Sequence, residues 1–319
     1  LIKLRSSKKV DNSLSNYKLE KYPIGSLHSG HSIEMHAHIF QGKEKGPCLL
    51  LLGGMHGDEI NGVEILRRTL VEGLFKNLKK GKVIVVPLIN VVGFINFSRD
   101  LPDGKDINRS FPGSRVGSLA SRLARCVTED LLPLSDYVID FHTGGNSRYN
   151  FPQVRYTAEF EASVALARKF GASYMVRKAL INHSLRATCH KMKIPSIVFE
   201  SGESKRYDGP GIEEALSGIK KILMSLEMGD FEHANTKDSI DLFHSSWIRA
   251  KAAGLFIWEK CSGDYIRKGE ILGRIHDPHN RESRLVKAHR DAYIIGHNNA
   301  AVVSLGDALF HLGWEDKAN

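Results

Sequence analysis

The sequence predicts an α/β layer protein that gives way, near residue 240, to a small all-β module. Three observations carry that prediction. Apolar runs of strand length (CLLLLGG, KVIVVPLIN, DYVIDFHTGG, PSIVFESGE) recur along the first three-quarters of the chain. Amphipathic helical stretches separate most of them, and buried strands alternating with helices imply a layered α/β architecture. After Gly229 the texture changes to short apolar segments punctuated by Gly-Asp turns, with no convincing helix.

Taken in order, residues 1–16 are polar and weakly patterned, which predicts a frayed tail. The opening LIKLRSSKK lacks the apolar core of a signal peptide. From Tyr17 to His38 the apolar residues partly alternate as in a hairpin, IEMHAHIF being the clearest strand. CLLLLGG is a strand apolar on both faces, followed by a helix over 61–74. KVIVVPLIN is a second buried strand, and VVGFINFSRDLPDGKDINRSFPGS after it reads as one long loop. Loops of that length inside a compact domain are usually functional or disordered. LASRLARCVTEDLLPL is helical, DYVIDFHTGG a third strand, 159–170 and 184–192 helices, PSIVFESGE a fourth strand and 211–228 an amphipathic helix. FEHANTKDSID is the connecting segment. The organisation expected is a tail (1–16), a main domain (17–239) and a β module (240–319). Within the module GDYIRKGEILGRI and HNNAAVVSLGDALFHLG look faintly alike.

Composition narrows the function classes. Of 319 residues, 45 are Lys or Arg and 36 Asp or Glu, a net charge of +9. No basic stripe interleaved with aromatics and no nucleic-acid reading motif accompanies that excess, so a basic surface that attracts acidic small molecules is expected rather than nucleic-acid binding. No apolar stretch approaches membrane-spanning length. Cys48, Cys126, Cys189 and Cys261 are far apart with no CxxC spacing. Isolated reduced thiols point to a reducing compartment, and the cytoplasm is the expected location.

The chemistry concentrates where strands end. In GGMHGDE, His56 and Glu59 are three residues apart, so a turn at the strand tip can aim both at one point. An isolated HxxE spacing is more often a pair of ordinary loop polars. A catalytic zinc site, however, takes three ligands drawn from His and carboxylate. His142 also ends a buried strand and precedes glycines, at the sheet end where α/β proteins bind ligands. Asp140, two residues earlier, either orients a ligand or is a polar group satisfied at a strand end. Glu200 closes an almost wholly apolar strand and is a candidate base for a water, with a strand-end ion pair as the plainer reading and Glu203 as competitor. The long loop adds Arg99, suited to a developing oxyanion, and Asn108 with Arg109, suited to a carboxylate.

Together GGMHGDE, SRDLPDGKDINRSFPG, DFHTGG and PSIVFESGE, in that order, resemble the succinylglutamate desuccinylase/aspartoacylase family of zinc carboxypeptidase-like hydrolases, over residues 25–228. The resemblance implies a mixed sheet flanked by helices and one Zn2+ per subunit on His56, Glu59 and His142. It implies that Arg99 polarises the scissile carbonyl, with Arg115 nearby as the alternative, that Asn108 and Arg109 hold the substrate carboxylate, and that Glu200 acts as general base and then acid. The expected reaction is deacylation of a small-molecule N-acyl amino acid. A metallocarboxypeptidase acting on peptide C-termini is the rival with shared chemistry, and a non-catalytic binding protein is the rival of another class. The tail resembles a biotinyl/lipoyl-type β-barrel, but it has no Met-Lys-Met, and Lys287 in LVKAHRD stands in poor context for a carrier lysine. The module is therefore expected to be structural, covering the active-site mouth or mediating homo-oligomerisation.

Overall fold

A computed structural model describes residues 16–27, 29–231, 238–279 and 282–316. Nearly all of the expected polar tail and most of the expected connecting segment lie outside the described residues. The elements run β1 (Tyr17–Ser26), β2 (Ser32–Gln41), β3 (Glu44–Gly53), α1 (Ile60–Val71), β4 (Lys80–Val86), α2 (Val91–Ile95), α3 (Leu119–Cys126), β5 (Tyr137–Gly144) and β6 (Arg148–Tyr156). They continue with α4 (Glu161–Phe170), β7 (Tyr174–Arg177), α5 (Leu185–Lys191), β8 (Ser196–Glu203) and α6 (Gly209–Ser225). The remaining elements among the described residues are all strands: β9 (Ile240–Leu242), β10 (His244–Arg249), β11 (Gly254–Trp258), β12 (Tyr265–Ile266), β13 (Ile271–His276), β14 (Ser283–Lys287), β15 (Ala292–Asn298), β16 (Val302–Val303) and β17 (Ala308–Trp314).

The main sheet is mixed. Its centre, β4-β3-β5-β8, is parallel, whereas β2 joins β4 and β6 joins β8 antiparallel. The central strands are buried on both faces, and their alternation sorts side chains between two cores. Leu49 and Leu51 face α1, α4 and α6, in a core shared with Leu66, Phe170 and Ile219. Leu50 and Leu52 face α3 and α5, in a core shared with Leu123, Leu185 and Cys189. All four leucines are fully buried. A run that looks featureless in sequence thus glues two helical layers to one sheet.

Two departures from the sequence reading matter for the site. The segment 146–153, left without an element between the third strand and the helix over 159–170, belongs largely to β6. Pro152 disguises the strand: it has no N–H for a ladder, and the register with β8 shifts between Asn150↔Gly202 and Gln153↔Glu200, a bulge that accommodates it. The long loop after β4 opens with a short helix, α2, because Asn90 Oδ1 accepts the Gly93 N–H at 2.8 Å and caps it.

The C-terminal strands form a second sheet, β14-β13-β11-β16, and also extend the first. On the side of β6 away from β8, β15 pairs with 148–150 while β7 pairs with 153–156. Next come β17 and β10, so the main sheet reaches 13 strands among the described residues. A separate apolar cluster of Phe256, Ile266, Leu272, Ile294 and Phe310 fills the C-terminal part. Tyr174, Val176, Leu242 and Ile295 make a small joint core between the two parts. Lys287 lies in β14 opposite Ile271, not at a hairpin tip. No helix among the described residues is long and apolar enough to cross a membrane, and all four cysteines are unpaired thiols.

Candidate active site

The β3–α1 connection is built so that two polar side chains meet at a strand tip. Gly54 turns with φ +59°, and Gly57 sits so close to Gly93 that an added Cβ would lie 1.9 Å from the Gly93 carbonyl carbon. Glu59 occupies the N-cap of α1 without capping it. Its carboxylate turns inward instead: Oε1 lies 2.8 Å from His56 Nδ1, and Oε2 lies 2.9 Å from His142 Nδ1 and accepts the Thr143 N–H at 3.1 Å.

His142 arrives from β5 by simple alternation. Ile139 and Phe141 face the α1/α4/α6 core, so Asp140 and His142 share the opposite face. Its Nδ1 stands 3.2 Å from His56 Nδ1, and one donor atom from each of His56, Glu59 and His142 falls within 4.8 Å of the others. All three residues are buried. The far nitrogen of each imidazole is taken by a carboxylate, His142 Nε2 by Asp140 at 2.7 Å and His56 Nε2 by Asp106 at 3.2 Å. Two oriented imidazoles and a carboxylate oxygen converging on one point are a donor set suited to a divalent cation such as Zn2+.

Burial works against the charged forms here, and the acidic neighbours overturn it. His56 is raised by Glu59 and Asp106, and His142 is raised well above the ordinary range by Asp140 and Glu59. Burial likewise opposes ionisation of Glu59, but the two histidines hold its pKa well down. Asp106 is a hub: it also accepts the Asn108 N–H at 2.7 Å and pairs with Arg99 Nη2 at 2.8 Å. Arg99 Nη1 reaches Glu59 at 3.2 Å, which places this guanidinium at the edge of the cluster. Arg115 pairs with Glu129 at 3.4 Å on an exposed surface, away from these groups.

Glu200 sits across the same cavity. Val198 and Glu200 share the cavity face of β8 while Ile197 and Phe199 enter the opposite core. Arg155 Nη1 lies 2.6 Å from Glu200 Oε1, and Asn150 Nδ2 donates to Oε2 at 2.7 Å. The bulge at Phe151–Pro152 lets residues of opposite parity on β6 reach one carboxylate. Glu203, the competitor, turns away to Arg206 at 3.0 Å and Asn299 at 2.7 Å. Asn108 and Arg109 line the wall. The Asn108 Oδ1 accepts the Leu185 N–H at 2.9 Å, and the exposed Arg109 guanidinium rests on the Asn108 carbonyl at 2.7 Å.

The cavity encloses about 440 Å3 and brings together His56, Glu59, Arg99, Asn108, Arg109, Asp140, His142 and Glu200, while the alternatives Arg115 and Glu203 are not on its lining. It also holds groups that sequence reasoning missed: Asn150, Arg155, Arg186 and Trp247 on its lining, and Asp106 behind it. Asp106 had a local signal, as the acid two residues before Asn108 whose side chain accepts that N–H. Arg155 was hidden with β6, and Trp247 comes from β10, beyond the apparent domain boundary. Arg99, Arg109, Arg148, Arg155 and Arg186 outnumber Glu59, Asp140 and Glu200 on the lining, so the cavity favours an anion.

A model of the succinylglutamate desuccinylase/aspartoacylase catalytic domain matches residues 45–226. The chain belongs to that family. The desuccinylase/aspartoacylase match spans β3 to the end of α6 and so takes in His56, Glu59, Arg99, Asn108, Arg109, His142 and Glu200. Beyond it, the chain is 28% identical over 307 residues to N-alpha-acetyl-L-2,4-diaminobutyric acid deacetylase of Halomonas elongata, covering 91% of this chain and 88% of that protein. The fold is shared with the product-bound ectoine utilization protein EutE of Ruegeria pomeroyi, with TM-score 0.83, 23% identity and coverage of 93% and 95% of the two chains. It is shared too with a succinylglutamate desuccinylase/aspartoacylase of Rhodobacter sphaeroides, with TM-score 0.82, 25% identity and coverage of 93% and 95%. These likenesses extend through the C-terminal strands, which are thus a feature of the desuccinylase/aspartoacylase fold in those proteins as well.

Proposed function

We propose that the protein is a zinc-dependent deacylase that hydrolyses the amide bond of a small N-acyl amino acid. The observation carrying this reading is the meeting of His56, Glu59 and His142 with Glu200 in one arginine-lined cavity. The family membership and the deacetylase from Halomonas elongata support the reaction class. Zn2+ held by His56, Glu59 and His142 would supply Lewis acidity, drawing the pKa of a water there towards about 7.

The chain's own groups do the rest. Glu200, held by both oxygens, accepts a proton from the attacking water and passes it to the nitrogen of the leaving amine. Arg99, beside Glu59, stabilises negative charge developing on the carbonyl oxygen. Asn108 and Arg109 take the α-carboxylate of the amino acid, fixing the amide relative to Glu200. Asp140 and Asp106 hold the two imidazoles in the orientation the ligand atoms require.

The test is a screen of the full-length, zinc-loaded protein against N-acyl amino acids, acetyl and succinyl forms included, alongside C-terminally unblocked peptides. Release of free amino acid from the first set, with Glu200→Gln losing roughly 10²- to 10⁴-fold in kcat at unchanged zinc content, is the expected result. Turnover of peptides alone would replace this reading with a carboxypeptidase. Near wild-type turnover by Glu200→Gln would remove Glu200 from the mechanism.

A further inference from the structure

Among the described residues, three apolar side chains, Ile181, Val198 and Trp247, line the cavity beside its many polar ones. Two belong to the main part of the chain; Trp247 is brought in by β10 from the C-terminal strands. Its ring is fixed from behind. His311 of β17, opposite it in register, lies parallel to the indole with centroids 4.3 Å apart and planes 6° apart. His311 is buried, and its Nε2 meets Lys178 Nζ at 3.1 Å. Lys178 also bonds the Ser245 hydroxyl on β10. One face of the indole is thus occupied, and the ring stands on a braced, buried support rather than on a loop.

The place of this wall along the cavity follows from its neighbours. Lys178 begins a segment whose carbonyls, Lys178 and Ala179, accept from the Arg186 guanidinium at 2.8 and 2.6 Å. The same segment ends at Leu185, whose N–H is held by Asn108. On the other side Arg155, which grips Glu200, is near enough for its charge to bear on both Lys178 and His311. The support of Trp247 is thus connected both to the segment held by Asn108, of the pair that takes the α-carboxylate, and to the neighbourhood of Glu200, which hands a proton to the leaving amine. Trp247 lines one cavity with all three of Glu200, Asn108 and Arg109. Between those two attachments a substrate carries its α-carbon and side chain, not its acyl group.

We propose that Trp247 walls the compartment for the side chain of the amino-acid leaving group, so that the C-terminal strands set which amino acid the site accepts. This rests on the deacylase reading above. The indole closes the compartment against long or branched side chains and offers its free face to the aliphatic part of a short one.

The experiment compares the full-length zinc-loaded protein with Trp247→Ala and Trp247→Phe on two panels. In one the acyl group is acetyl and the side chain grows from alanine through aspartate and 2,4-diaminobutyrate to leucine and phenylalanine. In the other the amino acid is fixed and the acyl group grows from formyl to succinyl. Trp247→Ala should shift the ratio of kcat/KM between large and small side chains by roughly tenfold or more towards the large. The acyl ranking should stay unchanged, and Trp247→Phe should keep the wild-type ordering. Calorimetric binding of the free amino acids, which needs no turnover, should show the same reordering. An unchanged side-chain ranking, or a shift confined to the acyl panel, overturns the assignment. Inactivity of the wild-type protein on every N-acyl amino acid overturns the deacylase reading instead, and the calorimetric comparison then decides on Trp247 alone: reordered affinities support it and unchanged ones overturn it. If Trp247→Ala does not fold, Trp247→Leu, which fills part of the same volume, takes its place with the same expected direction.

Discussion

Arg155 on β6 pairs with Glu200 on β8 at 2.6 Å, across one of the two antiparallel seams that flank the parallel centre of the sheet. That seam is irregular only where Pro152 interrupts it, and the irregularity is what brings Asn150 to the other carboxylate oxygen. The orientation of the proposed proton carrier is therefore a property of β6.

If Arg155 acts by positioning Glu200, the two residues should not contribute independently. Arg155→Met is expected to lower kcat by roughly 10- to 100-fold through misplacement of the carboxylate. In a Glu200→Gln background the same change should cost far less, leaving a large coupling in a double-mutant cycle on kcat. Additive losses would show that Arg155 serves the substrate rather than Glu200.

Asp140 contacts His142 through Nε2, the ring nitrogen that points away from His56 and Glu59. Asp140→Asn should weaken zinc binding by roughly 10- to 100-fold, measured by competition with a chromophoric chelator. At saturating zinc most of the activity should return. Activity that stays low at full zinc occupancy would assign Asp140 a direct part in the reaction.

Zinc affinity should fall steeply as pH falls. His56 and His142 are both raised in the metal-free protein, held protonated by Glu59, Asp106 and Asp140, and those protons must leave before the imidazoles can act as ligands. A decline of about one to two decades per pH unit below neutrality is expected in chelator competition. The metal-free protein runs the other way. Stability from the raised histidines is complete below their unfolded value near 6.5 and is lost as pH rises through their folded values, so chelated protein should unfold more readily in mild alkali.

Lys178 supplies a second pH signature. Burial, reinforced by Arg155, brings its pKa down to about 8. The native state then binds fewer protons than the unfolded chain between about pH 8 and 10.5. Its contribution to stability rises with pH across that window, by on the order of 3 kcal/mol at most. Relative to wild type, Lys178→Met should lack this rise in denaturant titrations at pH 7 to 10. An identical pH dependence in the two proteins would mean that the amine is effectively solvated.

The parallel centre of the fold was legible because buried parallel strands read as unbroken apolar runs, and the proposed metal ligands stood out by interrupting such runs at their ends. Glu200 was legible for the same reason. β6 was not: with Arg148, Asn150, Gln153 and Arg155 on it and Pro152 inside it, Arg148–Tyr156 carries the composition of a loop and becomes a strand only through its neighbours. Trp247 gave no signal either, because β10 joins the cavity wall by tertiary packing that no local pattern encodes. The short helix α2 was masked by loop-like composition, although Asn90 three residues before Gly93 was its cap in plain view.

The shared edge of β6 also limits what can be removed. Cutting the chain after α6 would strip β15 from 148–150 and leave those backbone groups as an open border beside Asn150. An unprotected border of this kind recruits other strands, those of sister molecules above all. A shortened chain ending there should clump, and its inactivity would report a lost seam rather than a missing catalytic group.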